Sequence, residues 1–149
     1  SNFNGNILDS ACDVDVASQN QVVVLGDYYK TEFPTTGART AATQFNIILK
    51  NCPVTVTNAK VRFDGTPDLT NASLLAIDTS VAGAATGVAI NLMTADKADL
   101  PLHGSNSYTY ALSSTADNTL SFYAQYISTA ASITAGPANS VANFSVVYN

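Results

Sequence analysis

Charge is the scarcest commodity in this sequence. Only 11% of its 149 residues are charged, six of them Lys or Arg, and the net charge is −5. A globular chain ordinarily devotes about a quarter of its residues to charge. Nucleic acids and anionic membranes both reward Lys and Arg, so the balance argues against either as a partner. A surface rich in Thr, Ser, Asn and Ala suits an extracellular or assembled protein better than a cytosolic enzyme. Long apolar runs are also missing. The longest weakly polar stretch, residues 81–90, is rich in Gly and Ala and too short to span a bilayer, so no membrane insertion is expected. No charged segment precedes an apolar one at the N-terminus, and any signal peptide is expected to have been removed already.

The material for catalysis is equally thin. There is one histidine, His103, in a Pro-Leu-His-Gly-Ser loop. A lone imidazole in such a loop reads as a surface residue. Ser105 lacks the Gly-x-Ser-x-Gly setting of a nucleophile elbow. The eleven acids are mostly Asp in turns, paired as Asp13 with Asp15, Asp64 with Asp68, and Asp96 with Asp99. Asp in such places satisfies turn backbone. Asp96 and Asp99 have no EF-hand spacing and no closing Glu, and nothing marks a glycosidase acid pair. No catalytic residue, metal or cofactor is expected. Two glycosylation sequons, at Asn71 and Asn143, are discounted, the second because it falls inside a predicted strand.

Two cysteines, Cys12 and Cys52, are the full count. Neither belongs to a Cys-x-x-Cys pair, and one histidine cannot complete a zinc site with them. Buried free thiols are one reading. A disulfide is favoured, because each Cys ends a predicted strand; it would restrict the unfolded chain by roughly 4 kcal/mol and place folding in an oxidising compartment.

What the chain does have is period-2 alternation. Residues 3–12 read as a first strand with Phe3 and Ile7 in phase, and residues 21–25 as a compact β-branched strand stopped by Gly26-Asp27. Residues 18–21, Ser-Gln-Asn-Gln, make a polar turn leading into the latter. Residues 43–52 place Phe45, Ile47 and Leu49 on one face, and residues 59–64 alternate apolar with charged, the mark of a half-buried antiparallel strand. Residues 72–77 fit a short helix or strand. Residues 87–94, 106–112 and the run opening at Asn118 continue the pattern, with Leu120, Phe122, Ala124 and Tyr126 on one face. From Ser140 the chain ends in a strand whose Ala142, Phe144, Val146 and Tyr148 share a side. An apolar strand at a chain end must be covered by its own chain or by a partner. About eight or nine short strands with little helix predict one domain, all-β, built as an antiparallel sandwich.

The strand at residues 118–126, the Ala-Gly-Pro-Ala-Asn run at residues 135–139 and the alternation to the penultimate Tyr148 resemble the C-terminal signature of chaperone–usher pilins. The Phe-x-Gly at Phe3 ahead of Cys12, the segment from Phe45 to Cys52 and the strand at residues 87–92 are similar to landmarks of type 1 fimbrial major subunits, in the same order. The resemblance implies a structural subunit of a surface fimbria that polymerises by donor-strand exchange, assembled through the periplasm of a Gram-negative bacterium. Its fold would be an incomplete immunoglobulin-like sandwich completed by a donated strand, with Cys12 and Cys52 bridged. The donated strand would come from a periplasmic chaperone, then from a neighbouring pilin subunit, at an outer-membrane usher. The implied groove residues are Phe3, Ile7, Phe144, Val146 and Tyr148, and the chaperone would anchor the terminal carboxylate on Asn149. A fimbrial tip or adhesin domain binding host glycans is the alternative, with Tyr28, Tyr29, Tyr108 and Tyr110 available to stack on sugars. Family members carry a donor extension before the Phe-x-Gly strand. Here almost nothing precedes it, so the extension is expected to have been removed, with Ser1-Asn2 as a remnant.

Overall fold

A computed structural model of the protein describes residues 2–5, 11–19 and 21–149. Its order is β1 (Asp13–Val14), α1 (Val16–Gln19), a 3-10 turn at Lys30–Glu32, β2 (Thr43–Lys50), β3 (Asn58–Gly65), β4 (Leu75–Ala76), β5 (Val88–Met93), β6 (Tyr110–Ala111), β7 (Asn118–Ser128) and β8 (Ala142–Tyr148). The strands form two antiparallel sheets, one ordered β1-β2-β7-β5-β4 and the other β6-β3-β8.

Alternation determines which side chains meet between the sheets. Ile47 and Leu49 of β2 and Leu120 and Phe122 of β7 are sealed on the inner face of the larger sheet. Ala59, Val61 and Phe63 of β3 oppose them, while Lys60, Arg62 and Asp64 point outward. The faces join through aromatic rings: Phe63 of the smaller sheet meets Phe122 edge-on with centroids 5.3 Å apart and Phe45 at 5.9 Å, while Phe45 and Phe122 stack as neighbours within the larger sheet at 5.7 Å. Such pairs add to the area they bury. Tyr110 of β6 donates its hydroxyl to the Ser121 carbonyl at 2.6 Å, and burial raises its phenol well above the ordinary value. β5 is buried on both faces. Its outward Asn91 lies beneath an ion pair in which Arg39 bonds both oxygens of Asp99, at 3.0 and 3.2 Å. Asn91 donates to Asp99 at 2.9 Å and to Gln125 at 3.1 Å, which satisfies polar groups that burial would otherwise penalise.

Cys12 and Cys52 form a disulfide that closes a separation of 40 residues. Residues 72–77, ambiguous in the sequence, hold the short strand β4, which pairs with β5 through Leu75 and Ile90. Residues 16–19 are a helical turn that overlaps the start of the expected polar turn: the Ser18 hydroxyl accepts the Ile48 amide at 3.0 Å and so caps the β2 edge just beyond β1. The expected strand at residues 106–112 shrinks to two paired residues. Residues 21–25 also differ from expectation: extended in sequence character, they join neither sheet. A β-branched run specifies an extended backbone, but a ladder needs an adjacent edge. β1, Ser18 and the Gln21 side chain, which donates to the Asn46 carbonyl at 2.7 Å, occupy the nearby β2 edge.

Candidate functional site

The smaller sheet stops at β8. This strand is laddered to β3 from Ala59–Tyr148 to Gly65–Ala142, and among the described residues nothing pairs with its other edge. Alternation turns Phe144, Val146 and Tyr148 inward, yet all three are only half-buried, unlike their β3 partners Phe63, Val61 and Ala59. An apolar face one strand short of cover explains the difference.

A groove of about 440 Å³ runs beside this edge. Its floor is Phe45, Ile47, Phe63, Ile90, Leu92 and Ala124, from strands of both sheets. One lip is residues 140–144; the other is the unpaired segment, through Gln21, Val23 and Leu25. At the far end the groove widens into a second space of about 680 Å³ between residues 21–28 and residues 133–141. The floor is apolar and the lips add backbone with Gln21, Ser140 and Asn143, the means of holding a strand. Among the described residues no group of three or more His, Cys, Asp or Glu converges as a metal site would require.

Of the residues expected to line the groove, Phe144 does so. Val146 and Tyr148 continue the same face of β8, packed against the core beyond the groove. The ring end of Tyr148 reaches the Cys12 backbone, and burial raises its phenol above the ordinary value. Phe3 is 95% exposed and lies outside the groove lining; its segment, residues 2–5, pairs with neither sheet. Ile7 falls outside the described residues. Asn149 ends the β3 ladder: its amide bonds the Asn58 carbonyl at 2.9 Å and its carbonyl accepts the Thr57 amide at 3.3 Å. Sequence reasoning missed Val23 and Leu25, whose alternation was visible but was assigned to a paired strand. It also missed Leu75, Ile90 and Leu92, which read as ordinary core.

A two-sheet sandwich with an open, apolar strand site matches a known group of proteins. The family model described as Fimbrial protein matches residues 1–149. The chain belongs to the fimbrial protein family. This fimbrial protein is 37% identical over 148 residues to the type-1 fimbrial protein A chain of Escherichia coli, covering 98% of this chain and 80% of that one. It is also 37% identical to the type 1 fimbrial subunit of Klebsiella pneumoniae, across 98% of this chain and 81% of the relative. Among solved structures it resembles an antigen and type I fimbria protein of Burkholderia pseudomallei, with 36% identity and TM-score 0.70 over 95% of this chain and 91% of that one. The P pilus rod subunit PapA shares the fold at TM-score 0.77 and 22% identity, across 94% of this chain and 100% of its own. The fold is thus the incomplete immunoglobulin-like sandwich of pilus subunits, and the protein is a structural pilin. A likeness to the CupB6 tip adhesin of Pseudomonas aeruginosa, at 22% identity, covers 38% of that chain and is a likeness of fold alone. Among the described residues no helix is long and apolar enough to cross a membrane.

Proposed function

We propose that this chain polymerises into a surface fimbria of a Gram-negative bacterium by accepting a donated β-strand in the groove beside β8. The observation that carries the reading is the pairing of one open strand edge with an apolar floor. A strand with alternating apolar residues satisfies both, because its backbone continues the ladder while every second side chain enters the groove. Residues 1–149 act as one pilin domain and supply the acceptor half of the exchange. Phe144 is the main contact on the β8 lip. Val146 and Tyr148 extend it toward the disulfide. Neighbouring pilin subunits donate the strand in the fibre. A periplasmic chaperone donates it beforehand and holds the terminal carboxylate on Asn149, and an outer-membrane usher is where the two are exchanged.

Thermal unfolding with and without a synthetic ten-residue peptide of alternating valine and threonine tests the reading. A ligand that binds only the folded state raises the midpoint with concentration. A rise that grows with peptide supports an open acceptor; an unchanged midpoint in a folded monomer would refute it.

A further inference from the structure

The two lips of the groove are held very differently. On the β8 side, four consecutive residues are pinned to the larger sheet and its connections. The Pro137 carbonyl accepts the Ala85 amide at 2.9 Å and the Ala138 carbonyl accepts the Tyr126 hydroxyl at 2.6 Å. The Asn139 carbonyl accepts the Asp78 amide at 2.6 Å, and the Ser140 hydroxyl donates to the Ala76 carbonyl at 2.5 Å. β8 itself is then locked to β3.

The opposite lip has no such anchorage. From residue 21 to residue 28 the backbone makes no hydrogen bond to the backbone of any described residue. Among the described residues the segment is tied by the Gln21 side chain on the Asn46 carbonyl, by Tyr28 set edge-on to Tyr126 with centroids 6.1 Å apart, and by the packing of Leu25 against the core. Along it Val23 and Leu25 face the groove, half-buried, while Val22 and Val24 are 85% and 75% exposed. Gly26, at φ +96°, ends the run in a left-handed conformation that favours glycine. Among the described residues this is a β-branched strand without a ladder, facing a ladder without a strand. Backbone groups lying against an apolar floor seek partners, and open edges are what folded chains suppress.

Building on the acceptor reading above, we infer that residues 21–25 are a strap that exchanges between the open position of this structure and one closed onto the free edge of β8, and that it hinges at Gly26 to admit a donor. The strap is the moving part because the β8 lip is fixed residue by residue. Closure gives both edges backbone partners and lays Val23 and Leu25 over Phe144 and Ile90. It protects the subunit from adventitious pairing and sets a barrier that a donor must overcome.

Amide hydrogen exchange on the intact chain, read by NMR without peptide, tests closure directly. The expected result is that alternate amides of residues 22–25, and those on the free edge of β8, exchange at least tenfold more slowly than an unstructured chain. Exchange of the strap amides at unprotected rates would overturn the inference. A second measurement uses Val23→Thr, which keeps the side-chain shape and weakens the inward face. It should reduce strap protection and speed association of the valine–threonine peptide severalfold; an association rate equal to that of the parent chain would overturn the gating role. Failure of the peptide to bind either chain would strike the proposed function instead, and closure would still be decided by the peptide-free exchange.

Discussion

Phe63 and Phe144 are direct partners in the β3–β8 ladder, their ring centroids 6.3 Å apart, yet Phe63 is sealed in the core while Phe144 borders the open groove. Two phenylalanines on one sheet face thus serve different ends, one holding the sandwich together and the other receiving a partner.

Substitution should separate them. Phe63→Ala removes a ring in contact with Phe45, Phe122 and Phe144 and should cost about 3–5 kcal/mol in denaturant unfolding. Phe144→Ala, half-exposed already, should cost only about 1–2 kcal/mol while weakening the valine–threonine peptide about tenfold in a titration. Equal losses of stability would remove the distinction.

The Cys12–Cys52 bridge ties the start of β1 to the chain just past β2, near the end of the sandwich that Tyr148 reaches. Replacing both cysteines with serine should lower stability by about 2–5 kcal/mol. Unfolding curves with and without reductant check it: the parent chain should lose stability when reduced, and the double variant should not respond.

Gly136 passes so close to the neighbouring loop that a Cβ there would sit 2.0 Å from the Gly83 carbonyl oxygen and 2.8 Å from the Ala85 amide. Backbone on both sides cannot yield as a flexible side chain does. Gly136→Ala should therefore displace the Pro137–Ala85 contact and destabilise the fold by about 1–3 kcal/mol, whereas Gly37→Ala, with open space around it, should cost less despite its positive φ. Paired thermal melts decide between them.

The Arg39 guanidinium, and then the Asn91 amide, hold the Asp99 carboxyl below the ordinary carboxylate range. A group whose folded pKa is lowered stabilises the fold above its unfolded pKa, and that contribution is lost as pH falls through the folded value. Asp99→Asn should lower the midpoint modestly at neutral pH and leave it unchanged in strong acid, so that the acid limb of a midpoint-versus-pH curve flattens. Because the carboxylate is 56% exposed, the effect should stay within about 1 kcal/mol. An unaltered acid limb would show that Asp99 contributes nothing to acid sensitivity.

The sequence by itself determined the all-β character, the inner faces of β2, β3, β7 and β8, and the affinity with fimbrial subunits. Period-2 alternation is written in consecutive residues: Phe45, Ile47 and Leu49 need no neighbour to declare which side they share. The spare apolar strand at the C-terminus was legible for the same reason. Tertiary structure alone decided where that strand stops being covered. Residues 21–25 read as strongly β as residues 43–50, and only the placement of β1, Ser18 and Gln21 along the β2 edge leaves them without a ladder. The groove floor was equally hidden, since Ile90 and Leu92 look like any core residues until the sheets are assembled around a gap. Pairing depends on which edges come together in space, and the local pattern of a strand says nothing about its neighbour.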